Sequence, residues 1–221
     1  MKPAPHIYAL TNSSLLLDAS HLDAIDRLSI QKKFWALPSH CKSTDEFTDL
    51  VPAMNSLTLY LKSDKHLNKW LRVLPSLWND IKTSTFKGQH HLIKTTYKGE
   101  DINYVARYHN LSADEVINIH SKTKYHVLFL GFQPGFAYLH GLNEQLHTPR
   151  RDEPRIKVPK GSVAIGAAQT GIYPADTPGG WHIIGHTDTA LFDSTSEQPC
   201  LIQPGDTLEF VPLVNKGATH D

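Results

Sequence analysis

"GSVAIGAAQTGIYPADTPGGWHIIG", residues 161–185, decides the fold class. Six of the chain's 13 glycines fall here: Gly161, Gly166, Gly171, Gly179, Gly180 and Gly185. A glycine inside a regular element is destabilising by roughly 0.5–1 kcal/mol relative to alanine. Such a density therefore points to short strands with sharp corners and close backbone approach. The apolar runs "GSVAIGA", "GIYPA" and "HIIGHT" alternate with Gly/Pro turns, and "CLIQPGDTLEFVPL" at 200–213 continues the pattern. That is the signature of a β-barrel or closed sandwich.

Upstream, "YHVLFLGF" (125–132) and "HLIKTTY" (91–97) read as strands, and "DINYVARYHNLSADEVINIHSK" between them as two short helices. Ser112 followed by Glu115 is a capping-box start for the second helix. Residues 82–91, "KTSTFKGQHH", form a polar break that separates a domain at 1–84 from one at 85–221. Before the break, "HIYALTNSSLLLD" predicts a hairpin turning at Asn12-Ser13. "HLDAIDRLSIQKKFWAL" predicts a helix, "FTDLVPAMNSLTLYLK" contains a strand, and "DKHLNKWLRVLPSLWNDI" predicts a helix ended or kinked by Pro75. Together they describe a small α+β unit.

Lys plus Arg and Asp plus Glu both total 22. That balance argues against a nucleic-acid binder, which needs basic excess to neutralise phosphates. Cys41 and Cys200 are the only cysteines, too few for a disulfide framework or a cysteine zinc site. No metal site is expected. Neither a signal-peptide pattern nor an apolar stretch of membrane-spanning length is visible, so a cytoplasmic location is expected.

Three segments could carry chemistry. In "GFQPGFAYLHGL" (131–142) the Pro134-Gly135 turn is framed by Phe132, Phe136 and Tyr138, a rigid edge able to face a ligand. In "HTPRRDEPRIKVPKGS" (147–162) three prolines keep the chain extended. Alternation there puts Arg151, Arg155 and Lys157 on one side, suited with Arg150 to a carboxylate or phosphate. In the opening stretch Gln169, Thr170, Tyr173 and Trp181 offer polar tips and an aromatic wall. Each segment also has a plain scaffold reading: a braced turn, a solvated connector, a barrel corner. His120, at a helix end, is an acid/base candidate, with a satisfied structural histidine as the competing reading. His182 and His186 lie about 13 Å apart on a strand, too far for a zinc pair.

The blocks "LGFQPGFAYLHGL", "TPRRDEPRIKVPKGSVAIGAAQTGIYPADTPGGWHIIGHT", "LFD" and "LIQPGDTLEFVP" resemble the B-subunit family of 5-oxoprolinase. That family is also called allophanate hydrolase subunit 1 and includes the KipI kinase inhibitor. The resemblance implies an α+β chain: a small ferredoxin-like N-terminal domain followed by a cyclophilin-like β-barrel. It implies one component of an ATP-dependent hydrolase, inactive alone, that opens 5-oxoproline to glutamate with homologues of the C and A subunits. ATP with magnesium would serve the complex, and no cofactor is evident for this chain alone. On this view His120, Arg155 and Lys157 are catalytic. Phe132, Pro134, Gly135, Phe136, Tyr138, Arg150, Gln169, Thr170, Tyr173 and Trp181 bind a small-molecule substrate. A KipI-like inhibitor of a sensor histidine kinase, and one half of a biotin-dependent carboxyltransferase, are the alternatives.

Overall fold

A computed structural model describes residues 4–22, 27–82 and 88–213. The chain divides into two compact units, Met1–Lys87 and Gly88–Asp221.

The first unit is a four-stranded antiparallel sheet with two helices. β1 (His6–Thr11) and β2 (Ser14–Asp18) form the expected hairpin about Asn12-Ser13. Helix α1 spans Arg27–Lys42; the start of the predicted helix, residues 23–26, lies outside the described residues. The segment read as containing one strand is a hairpin, β3 (Phe47–Ala53) and β4 (Ser56–Leu61), turning at Asn55 in the left-handed region. Buried Gln31 clamps that turn, donating to the Ala53 carbonyl at 3.1 Å and accepting from the Asn55 amide at 2.9 Å. Helix α2 runs Leu67–Asp80 without ending at Pro75. The expected break does not occur because Leu74, Trp78 and Ile81, on either side of the proline, are all in the core. Their burial outweighs one lost backbone hydrogen bond. Sheet order is β1-β2-β4-β3. β2 and β3 are thus parallel with β4 antiparallel between them, and Leu15, Leu17, Leu57 and Leu59 alternate into the core.

The second unit carries the seven-stranded sheet. Its strands are β5 (His90–Thr95), β6 (Tyr125–Leu130), β7 (Ala137–His140), β9 (Ser162–Gly166), β10 (Gln169–Ile172), β12 (His182–His186) and β13 (Thr207–Pro212). They follow the order β12-β9-β10-β7-β6-β13-β5, antiparallel except for β13 on β5. Just past β5, Thr96 bridges His186 at the far edge, so the strip is a nearly closed barrel. Two short strands, β8 (Arg155–Val158) and β11 (Thr177–Gly179), pair outside it. Helices α3 (Ile102–Tyr108) and α4 (Ala113–Ser121) pack on β12 and β13. The Ser112–Glu115 capping box forms as the sequence predicts.

Closure follows from the pattern of residues. All five residues of β9 are buried, as a central strand covered on both faces requires. Val127, Leu139, Val163, Ile165, Ile184 and Phe210 fill the interior. A smaller cluster of Phe136, Val158, Ala164, Tyr173, Trp181 and Ile183 packs separately.

Candidate functional site

An aromatic cavity of about 110 Å³ opens in that smaller cluster. Phe136 and Tyr138 come from the β6–β7 hairpin, Tyr173 from the end of β10, and Trp181 from the residue before β12. Rings meet edge to face: Phe136 lies 5.5 Å from Trp181 at 76° and 5.4 Å from Tyr173 at 75°. Phe132, mostly exposed at φ +68°, leans edge-on over Phe136 from the mouth. Such edge-to-face pairs fix ring positions beyond simple burial. Gly179 and Gly180 complete the wall. A Cβ on Gly179 would stand 2.5 Å from the Tyr173 hydroxyl, so only glycine lets β11 approach so closely. Burial raises the Tyr173 hydroxyl pKa, so it stays protonated. At the mouth Arg150 holds its guanidinium carbon 5.9 Å from the Trp181 ring centre. Among the described residues no acidic side chain pairs with it.

The other predicted cations are engaged elsewhere. Asp101, at the N-terminus of α3 and 6% exposed, accepts from Arg155 at 2.8 Å, Arg151 at 3.2 Å and the Ile183 amide at 2.7 Å. Arg155 also reaches Glu100 at 3.2 Å, while one of its terminal nitrogens is buried without a partner. Its hydrogen bond to the Asp101 carboxylate raises the already high Arg155 pKa further. Lys157 is exposed and pairs with Asp176 at 2.7 Å. Arg151, Arg155 and Lys157 therefore do not form one anion cradle. They divide among three acids, Asp101, Glu100 and Asp176, that alternation alone does not reveal.

His120 lies in the barrel core, fully buried, and does not line the cavity. Its Nε2 is 2.9 Å from the Thr170 hydroxyl and its Nδ1 2.7 Å from the Tyr97 hydroxyl. Thr170 donates its proton to the Ala164 carbonyl, so Nε2 is the protonated nitrogen and Nδ1 accepts from Tyr97. Burial lowers its pKa to about 3, and it stays neutral. Thr170 is thereby also a core residue. Pro134 and Gly135 shape the hairpin turn behind Phe136 without lining the cavity, and Gln169 sits at the β9–β10 turn with its amide nitrogen buried and unpartnered.

The cavity thus gathers Phe132, Phe136, Tyr138, Arg150, Tyr173 and Trp181 from four separated segments. Comparison with known proteins identifies the family of the whole chain. Residues 5–202 match the family model for the carboxyltransferase domain, subdomain C and D. The chain is 44% identical to the 5-oxoprolinase B subunit of Haemophilus influenzae over 184 residues, covering 82% of this chain and 86% of that protein. The chain belongs to the B-subunit family of 5-oxoprolinase. Among solved structures, TTHA0988 superposes with a TM-score of 0.78 at 31% identity over 91% of this chain. This chain spans only 39% of that one. A more distant stretch of "Urea amidolyase" from Saccharomyces cerevisiae is 26% identical over 63% of this chain and 8% of that protein.

Within the family's barrel, the residue that sequence reasoning missed is Asp101. Its signal was the "GED" run before an apolar helix, an acidic residue at a helix start. Nothing local linked it to arginines 50 or more positions later. No cluster of three or more metal-ligating side chains occurs among the described residues. No helix there is long and apolar enough to cross a membrane.

Proposed function

We propose that the chain is the B subunit of an ATP-dependent 5-oxoprolinase, and that the aromatic cavity holds the lactam ring. The observation that carries this reading is the cavity itself: rings packed edge to face, one free guanidinium, and room for little more than a small ring. A dry cavity of about 150 Å³ takes a benzene molecule, so about 110 Å³ suits a five-membered ring and not a nucleotide. Arg150 would take the substrate carboxylate, a charge-assisted bond worth about 1.5–3 kcal/mol. The Tyr138 and Tyr173 hydroxyls would orient the ring, and the rings around it exclude water.

A lactam carbonyl is a poor electrophile. Phosphorylation of its oxygen by ATP, with release of ADP, makes the ring carbon electrophilic; one water adds there and the ring nitrogen leaves with a proton, giving an acyl phosphate, and a second water releases glutamate and phosphate. The cations needed at the phosphates come from elsewhere in the complex, because Arg151, Arg155 and Lys157 are already paired with acids. ATP with magnesium therefore belongs to the assembled enzyme with homologues of the C and A subunits. This chain is inactive alone and works in the cytoplasm. The barrel is of the cyclophilin-like kind. The N-terminal unit is ferredoxin-like in a permuted order: β1 takes the sheet position that the last strand holds in the usual β-α-β-β-α-β arrangement.

The test is ATP-dependent glutamate formation from 5-oxoproline by the chain alone, with the C subunit, and with both the C and A subunits. Turnover is expected only in the full set. Arg150→Ala should raise KM about 10- to 100-fold, as loss of that bond implies. An unchanged KM would remove Arg150 from the substrate site, and no turnover in a verified complex would overturn the reading.

A further inference from the structure

A second cavity, of about 180 Å³, lies at the barrel seam, where residues 96–101 run along β12. The segment is pinned by backbone hydrogen bonds. Thr96 and His186 exchange amide–carbonyl bonds at 2.8 and 2.9 Å, and Asp101 donates to Ile183 at 2.9 Å. Close approach demands glycine here: a Cβ on Gly99 would lie 2.5 Å from the Ile183 carbonyl carbon, and one on Gly185 would lie 2.9 Å from the Thr96 oxygen. The cavity is therefore preformed rather than a gap between mobile loops.

Its polar groups are unlike those of the aromatic pocket. Ser162, 3% exposed, lines the cavity, and its hydroxyl makes no hydrogen bond to any described residue. Unpaired within the protein, that hydroxyl is available to donate to or accept from a ligand. Ser162 is the cross-strand neighbour of His186, whose Nε2 is 3.1 Å from Asp188. With Nε2–H donated to that carboxylate, Nδ1 is left as an acceptor. At the rim stand two opposite charges on either side of Gly99. Lys98 has no acidic partner among the described residues. Glu100 shares one oxygen with Arg155 and keeps the other free.

We propose that this cavity binds a free α-amino acid. Its carboxylate meets the Lys98 ammonium and the Ser162 hydroxyl, and its ammonium meets Glu100 and Nδ1 of His186. A cation, an anion and a hydroxyl around a small open cleft complement a zwitterion, where a simple anion would leave Glu100 opposed to it. Resting on the oxoprolinase reading, the amino acid is glutamate, the ring-opened product. It would then have a binding place on the same barrel as the ring pocket but separate from it.

The test is calorimetric titration of L-glutamate into the full chain, and into its complex with the C and A subunits. One saturable site is expected. Ser162→Ala and Lys98→Ala should each weaken it at least about tenfold, and Arg150→Ala should leave it unchanged. Glu100→Gln should weaken glutamate but not glutarate, which lacks the ammonium. Ser162→Ala removes no protein hydrogen bond, so it is expected to fold, and its thermal midpoint confirms that. No saturable binding below about 10 mM, equal binding by Ser162→Ala and Lys98→Ala, or loss in Arg150→Ala would each overturn the proposal. The titration requires neither ATP nor turnover. Glutamate binding at Ser162 in a complex that does not act on 5-oxoproline would sink the functional reading and keep the amino-acid site. Turnover without binding would do the reverse.

Discussion

Gly166→Ala places a methyl group against the face of Trp181. The added Cβ would stand 2.5 Å from Nε1 and 2.6 Å from Cδ2 of the indole, and against Cδ1 as well. Ordinary carbon contacts lie at about 3.5–4.0 Å, so the ring must retreat by roughly 1 Å. It has nowhere to go but toward the cavity it lines, since Phe136 and Tyr173 are packed on its other sides. Overpacking of this kind is destabilising by about 1–3 kcal/mol. Loss of glycine's freedom in the unfolded chain returns about 0.4–1. A net loss near 1–2 kcal/mol is expected by thermal or denaturant unfolding. The functional effect should be larger, because a displacement of about 1 Å at a reacting site can lower turnover about 100-fold. Gly180→Ala is the control. It lines the same cavity, yet its Cβ would meet nothing closer than 3.7 Å. Stability and oxoproline turnover would be measured for both variants in the assembled complex. Wild-type behaviour of Gly166→Ala, or equal damage from Gly180→Ala, would refute the reasoning.

Asp101→Asn removes the buried charge that the partly exposed Arg151 and Arg155 share. A loss of about 2–4 kcal/mol is expected by denaturant unfolding, below the roughly 3–5 of a fully buried pair because Arg151 is one third exposed. Lys157→Ala, which breaks only an exposed pair, should leave the midpoint unchanged. His120 is held neutral by burial, with its pKa lowered from 6.5 to about 3. The unfolded chain therefore binds more protons across that window. The stability tied to this group is complete above about pH 6.5 and declines as pH falls toward about 3. Unfolding midpoints across that range should fall less steeply in His120→Gln, and an equal slope would show that acid lability lies in other groups.

Hairpins, caps and turns were legible because they depend on neighbours in sequence. Asn12-Ser13, the Ser112–Glu115 box and the glycine-rich strand corners all appear where local chemistry places them. Phe136, Tyr173 and Trp181 were likewise legible as an aromatic wall beside Gly/Pro turns, and the structure lines one cavity with them. Pro75 does not end helix α2, because the packing of Leu74 and Trp78 overrides a local rule.

By itself, the sequence determined a β-rich barrel after a small α+β unit, its family, and an aromatic wall beside tight turns. Alternation, capping and turn chemistry act over a few residues, and those can be read along a line. Only the tertiary structure decided which charges remain available. Arg155 meets Asp101 across 54 positions, Lys157 meets Asp176 across a paired strand, and His120 vanishes into the core beside Thr170. Coulomb attraction and burial depend on distance in space, and closure of the barrel at Thr96 and His186 sets those distances. Arg150 is left at the mouth of the cavity because no acid is folded against it.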